Sequence, residues 1–416
     1  MTQPGPGWAP LRQPEQQFLL ACLQYTANST TGQSLPLPPP DLDWERFSRR
    51  AIQDGLGALV FRRLRHYDYV PQTFLTRLRS DYYRNLSAND FRLAELRHIG
   101  QAMGKADIPL LVLKGGALAQ TVYADPALRF MGDLDLMVPA AQAAEALAIL
   151  DRLGYRQGEM AGVPAERADA DASWVAGLHK SLEGGQVMHL EFHWPGRRQV
   201  LLRQAVLLDL DYLWEEVVPL DAANNLVRLS DSLTLFYLCL HAAVQHQFSD
   251  LGLRHYLDLD RVIQEGGTTD NFWDDFLTAA GRCGIRHAAY YCLWLAGAMF
   301  GTPIPQRVLQ TLRPPAWKAA RLGKQLTIQA VINRVDIGGR QSGLAWRLLL
   351  VDHPGWLVKA VLSNFFPGRA YLADYYETRD PWLLQGYRLW HPFHVAGRAI
   401  QRRLKSALFN RRHRNA

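Results

Sequence analysis

The chain has only four cysteines in 416 residues (Cys22, Cys239, Cys283 and Cys292), and none stand in a Cys-x-x-Cys spacing. A disulfide framework and a cysteine-based zinc site are therefore excluded, and a reducing compartment, the cytoplasm, is expected. There is no Gly-x-Ser-x-Gly elbow, no P-loop and no context for a cysteine nucleophile. The N-terminus lacks a basic stretch followed by an apolar core, so it does not read as a secretory leader. Long hydrophobic runs are missing too. The longest, Ala288 to Phe300, has thirteen residues, short of the roughly 20 needed to cross a bilayer, and it reads as a buried helix.

Net charge is nearly absent from the body of the chain. The net charge is +7, yet eight Lys or Arg and no Asp or Glu lie from Arg388 to the end, leaving 38 basic against 39 acidic residues elsewhere. The basic character belongs to a tail, and no specific nucleic-acid partner is expected. In that tail Ile400, Leu404, Ala407 and Leu408 recur at helical spacing among Arg398, Arg402, Arg403 and Lys405. This is a short basic amphipathic helix, suited to peripheral contact with an anionic membrane or another polyanion.

What is present suffices for a large core, since 48% of the residues are hydrophobic, and the length predicts two to three units. Residues 1–104 are an N-terminal helical region, with helical periodicity over 14–104 broken by the Pro-rich stretch Ser34 to Asp43. Residues 105–200 change texture. Ile108 to Leu113 and Asp133 to Val138 are short apolar runs of the buried-strand type, and Ala140 to Leu153 is a helix stopped by Gly154. Tyr155 to Gln157 starts a third strand, and residues 158–175 read as a loop. Val187 to Trp194 alternates strictly, with Val187, His189, Glu191 and His193 on one face. Helical pattern returns over 201–387, in Ser230 to Phe248, Leu251 to Gln264 and Trp273 to Phe300, ahead of the tail at 388–416. The fold class is α+β: a small mixed β-sheet core of α/β type, flanked by N-terminal and C-terminal helical regions.

Of five Asp-x-Asp pairs, only Asp133/Asp135 lies on a strand that follows another strand and a Gly-Gly turn. Side chains two apart on a strand share a face, and two carboxylates there favour a divalent metal between them, Mg²⁺ by its preference for oxygen. Gly115 and Gly116 follow a strand and open a helix, so backbone N–H groups can cradle a phosphate. Lys114 and Arg129 add positive charge, although Arg129 could equally orient Asp133 or Asp135. Glu191, on a later strand, supplies the third carboxylate of a two-metal centre. His193 is a candidate partner for a carboxylate. His241 and His246, five apart on a helix, should diverge by about 140° and so make a poor metal pair. In Asp258/Asp260 the helical pattern likewise sends the two side chains apart.

The order Lys-Gly-Gly, Arg, Asp-Leu-Asp-Leu-Met-Val, His-Leu-Glu-Phe-His-Trp resembles the uncharacterised bacterial nucleotidyltransferase family of the DNA polymerase beta-like superfamily. Lys114, Gly115, Tyr123, Arg129, Asp133, Asp135, Glu191, His193 and Trp194 match its pattern, and the likeness runs over roughly residues 15–310. The resemblance implies a nucleotidyltransferase core that moves a nucleoside monophosphate from an NTP, ATP by preference, to an acceptor hydroxyl on a small molecule, peptide or protein. In that reading Asp133, Asp135 and Glu191 are both catalytic and metal-binding for two Mg²⁺ ions, and Lys114, Gly115, Gly116 and Arg129 contact the nucleotide. Glu191 stands where the family usually has Asp, so a nucleotide-binding or regulatory module without turnover is the second reading.

Overall fold

The structure, a computed structural model, describes residues 13–24, 35–157, 175–182, 187–194, 198–201, 206–208, 211–249, 251–334, 346, 349–350, 352, 358, 362, 365–378 and 380–412. The N-terminal periodicity becomes four helices: α1 (Pro14–Gln24), α2 (Trp44–Gln53), α3 (Gly57–Leu64) and α4 (Gln72–Gly104). Asp43, at the end of the Pro-rich break, is the N-cap of α2, and its carboxylate accepts the Arg46 amide at 3.0 Å. Such a cap satisfies a donor that the helix itself cannot.

Among the described residues nine strands follow: β1 (Leu110–Leu113), β2 (Leu134–Met137), β3 (Arg156–Gln157), β4 (Val175–Ser181), β5 (Val187–His193), β6 (Arg198–Leu201), β7 (Val206–Leu208), β8 (Val217–Asp221) and β9 (Leu226–Leu229). Seven of them form one mixed sheet in the order β3-β4-β5-β2-β1-β9-β8, while β6 and β7 pair separately. Strand β2 runs antiparallel to β1 and parallel to β5, and β9 adds parallel to β1 on the other side. Leu110, Val112, Leu134, Leu136, Leu190 and Phe192 of the sheet form one apolar cluster with Leu96, Ile99 and Met103 of α4. Ala146, Ile149 and Leu150 of α6 (Ala143–Arg152) belong to the same cluster. Gly154 ends that helix at φ +89°, a conformation suited to glycine.

Two strand segments depart from the expected pattern. Residues 217–229 were expected to be helical, yet they form the β8–β9 hairpin that extends the sheet. Val175, placed at the end of a loop, begins β4, which pairs antiparallel with β5 along its whole length. The rest of that loop, residues 158–174, lies outside the described residues, as do Asp169 and Asp171.

The helices after the sheet are α7 (Asp231–Leu240), α8 (Leu253–Gly266), α9 (Asp270–Arg282), α10 (Arg286–Phe300), α11 (Gln306–Leu312), α12 (Ala316–Leu322) and α13 (Ile328–Ile332). Helix α7 packs on α8, α9 and α10. The thirteen-residue apolar run lies within α10 and is largely buried, and among the described residues no helix is long and apolar enough to cross a membrane.

The chain divides into two compact units. One comprises Met1–Arg197 and Asp209–Gly343, and the other Arg198–Leu208 and Leu344–Ala416. The second contains β6, β7, α14 (Arg369–Tyr375) and α15 (Pro381–Arg412).

Candidate active site

The sheet register brings the central carboxylates together. Asp135 on β2 pairs with Glu191 on the parallel strand β5, and two residues on Met137 pairs with His193. In-register neighbours project to the same face, so the carboxylates converge. Asp133 precedes β2 by one residue, half-buried at the same cavity.

Lys114 completes the cluster from β1. It is the first residue of α5 (Lys114–Thr121), directly after the strand, with φ +45°. The left-handed region costs an L-residue about 1–2 kcal/mol, and such strain persists where surrounding contacts hold it. Here the Lys114 Nζ lies 2.6 Å from Asp135 Oδ1 and 3.4 Å from Glu191 Oε2. His193 is 1% exposed, with Nε2 3.6 Å from Asp135 Oδ1 and 3.8 Å from Glu191 Oε2. One potential ligand atom each from Asp135, Glu191 and His193 lies within 4.8 Å of the others, the one such donor group found among the described residues. Two carboxylates and an imidazole are a donor set that suits a divalent cation, and the ammonium seated beside them reflects the positive charge this cluster attracts.

The electrostatics split the two carboxyls. Burial opposes ionisation of Asp135, but the Lys114 ammonium, with help from His193, holds it below the ordinary carboxylate range. Glu191 goes the other way: burial, only partly offset by Lys114, and the nearby Asp135 charge push it up to about 7. Burial and the Asp135 charge also raise Asp133. Burial lowers His193, which favours its neutral form. For Lys114, burial is outweighed by Asp135, Tyr237 and Glu191, and its pKa rises.

A cavity of about 290 Å³ opens at the cluster, lined also by Gly115, Arg129, His241, His246, Arg254, His255 and Asp258. Arg129 is not paired with Asp133 or Asp135. Its Nε and Nη2 donate to the Asp258 carboxylate at 2.8 and 2.7 Å, and its Nη1 donates to the Phe130 carbonyl. The Tyr123 hydroxyl donates to Asp258 at 2.8 Å. This buried knot ties the approach to β2 onto α8. The expected divergence within Asp258/Asp260 is observed, since Asp260 instead accepts the Thr302 hydroxyl at 2.7 Å.

Arg254 is a different kind of cation. Among the described residues no carboxylate lies within ion-pair distance of it, and its guanidinium sits 5.0 Å from the centre of the Phe130 ring. Gly55 backs it so closely that a Cβ there would lie 2.5 Å from Arg254 Nη1. Burial, with the Arg129 charge added, lowers its pKa to about 10, which leaves it charged at neutral pH.

The histidines correct the helical expectation. Helix α7 continues into a π-helical turn, His241–Gln245, in which the His246 amide donates to the His241 carbonyl at 3.1 Å. That i→i+5 bond returns residues five apart to one side. The two rings lie 4.5 Å apart, and His255 stacks on His241 at 5.6 Å. Burial lowers His255 to about 4 and His241 well below its usual value, so both are neutral at pH 7.

The two glycines serve different ends. A Cβ on Gly116 would lie 2.9 Å from Val112 Cγ1, so this residue lets α5 close onto β1, whereas Gly115 borders the cavity. Sequence reasoning missed Arg254, His255 and the role of Asp258. The one local signal for them was charge in an otherwise apolar helix.

The sequence profile of a family described as uncharacterised nucleotidyltransferase matches residues 40–301, more than half of the chain. No curated protein and no solved structure matches it significantly.

Proposed function

Because the chain belongs to the uncharacterised nucleotidyltransferase family, we propose that it moves a nucleoside monophosphate from an NTP, most simply ATP, to an acceptor hydroxyl in the cytoplasm. The observation that carries this reading is the register of Asp135 against Glu191 in one cavity with Arg254, a cation that no carboxylate of the described residues pairs. Asp133, Asp135 and Glu191, with His193 beside them, are the residues that would hold Mg²⁺. When bound, the metal supplies neutralisation of triphosphate charge and activation of the attacking oxygen.

The chain's own groups do the rest. Arg254 binds the triphosphate, and the first amides of α5 at Gly115 and Gly116, free of intrahelical acceptors, face its charge. Arg129 keeps the loop before β2 in place through Asp258. Lys114 holds Asp135 ionised and sets the spacing of the two carboxyls. Glu191 takes the acceptor's proton. The acceptor oxygen then attacks the α-phosphorus, and pyrophosphate leaves.

The test is pyrophosphate release from each of the four NTPs with Mg²⁺ and pooled metabolites or peptides as acceptors. The expected result is release by the wild type and a loss of at least about 100-fold in Glu191→Gln, within the range for a general base. Wild-type turnover in that variant would remove Glu191 from the chemistry. Metal-dependent NTP binding with no release from any pool would favour the regulatory reading.

A further inference from the structure

We propose that the second unit docks the protein on an anionic lipid bilayer through the outer face of α15. The proposal is independent of the chemistry assigned to the cavity. It starts from where apolar side chains are left in water. Among the described residues, eight of the fourteen exposed large hydrophobic side chains fall between Val358 and Phe393. A concentration of this kind marks an interaction surface rather than ordinary scatter.

Helix α15 has two faces. Its start is capped by Asp380, whose carboxylate accepts the Trp382 and Leu383 amides at 2.8 and 3.2 Å. One face packs on α14: the Tyr387 ring stacks on Tyr376 at 4.0 Å, and His391 lies 3.0 Å from the Tyr376 hydroxyl. His394 meets the Tyr375 hydroxyl, also at 3.0 Å. At 100° per residue, Trp382, Leu389, Trp390 and Phe393 fall outside that face, Trp390 on its flank and the other three opposite. These side chains are 85%, 74%, 57% and 70% exposed.

Charge decides what covers this stripe. No Asp or Glu follows Asp380, while eight Lys or Arg lie from Arg388 onward. A second copy of the chain would bring two such basic segments together, which like-charge repulsion opposes. Anionic headgroups complement them. Two tryptophans and a phenylalanine beside leucine are the side chains that settle at the boundary of headgroup and acyl chain. The helix is 32 residues long, about 48 Å at the α-helical rise. Pro392 lies inside it, and it is not apolar enough to span. It fits the membrane plane, where an apolar face and a basic segment act as the two signals that stable attachment needs.

The test is flotation of the full chain with vesicles of phosphatidylcholine alone or with about 30% phosphatidylserine, at low and high salt. The parent should float with the phosphatidylserine vesicles and be released by salt. Trp382→Ser/Trp390→Ser/Phe393→Ser, all at exposed positions, should lose at least about tenfold in partitioning. Arg402→Glu/Arg403→Glu should lose a similar factor, and circular dichroism should match the parent in both. Equal flotation of the triple variant and parent, or indifference to phosphatidylserine, overturns the proposal. So does sedimentation showing a dimer that the triple variant dissolves, because the stripe is then an interface between copies.

Discussion

Asp135 and Glu191 stand in register on neighbouring parallel strands, and the Lys114 ammonium lies 2.6 Å from the first and 3.4 Å from the second. The sheet thus forces two acids together, and the residue directly after β1 supplies the cation that makes this tolerable. The same arrangement leaves Asp135 ionised and Glu191 holding its proton to about pH 7.

Lys114→Met removes the ammonium that bridges both acids. Breaking a buried pair costs up to about 3–5 kcal/mol, so the thermal midpoint should fall in chelator. Mg²⁺ or Mn²⁺ should then raise the midpoint of the variant more than that of the wild type, since the ion replaces the lost charge. Equal metal-induced shifts would show that Lys114 and the ion do not share a site.

Glu191 sets a pH dependence with a defined sign. Its folded pKa, about 7, lies above the ordinary 4.5, so the folded state keeps a proton that the unfolded chain has lost. Its stabilising contribution is complete below about pH 4.5 and lost as pH rises through about 7. Denaturant unfolding in chelator, wild type minus Glu191→Gln, should trace that loss. A flat difference between pH 4 and 8 would mean that Glu191 titrates normally.

The Arg129–Asp258 knot is structural. Arg129 and Asp258 are 9% and 1% exposed, so Arg129→Met or Asp258→Asn strands a buried group at a cost of about 3–5 kcal/mol. The double variant should cost clearly less than the sum. Additive losses measured by urea unfolding would argue that the pair is energetically uncoupled.

Among the described residues Arg254 has no ion-paired acid, so Arg254→Met should leave the fold intact and strike nucleotide binding. A charge-assisted hydrogen bond carries about 1.5–3 kcal/mol, an ATP affinity loss of roughly 10- to 150-fold. AMP should lose much less, because the contact assigned to Arg254 is with the triphosphate. Equal losses for ATP and AMP by calorimetry would move Arg254 away from that role.

Much of this site is legible in the sequence because its strands are short and strongly patterned. β1 and β2 are apolar runs, and β5 alternates strictly enough to put Glu191 and His193 on one face. The β8–β9 hairpin was hidden by Pro219 and Asp221, although the adjoining Asn224–Asn225 pair, with Asn225 at φ +55°, is a turn signal. The convergence of His241 and His246 depends on a single π turn, which regular helical geometry does not anticipate. Asp258 and Arg129 are 129 residues apart. Nothing local distinguishes that aspartate from Asp260, and only tertiary packing assigns one to the knot and the other to Thr302. Arg254 stands out because no carboxylate among the described residues pairs with it, which only a folded structure can reveal.

The most direct measurement is calorimetric titration of ATP into wild type and Asp135→Asn, each with and without Mg²⁺. The account predicts binding that strengthens with Mg²⁺ in the wild type. It predicts loss of that Mg²⁺ dependence in Asp135→Asn, with the variant's apo fold retained by circular dichroism. Mg²⁺-dependent ATP binding of wild-type strength in Asp135→Asn would contradict the assignment of this cluster as the metal and nucleotide site.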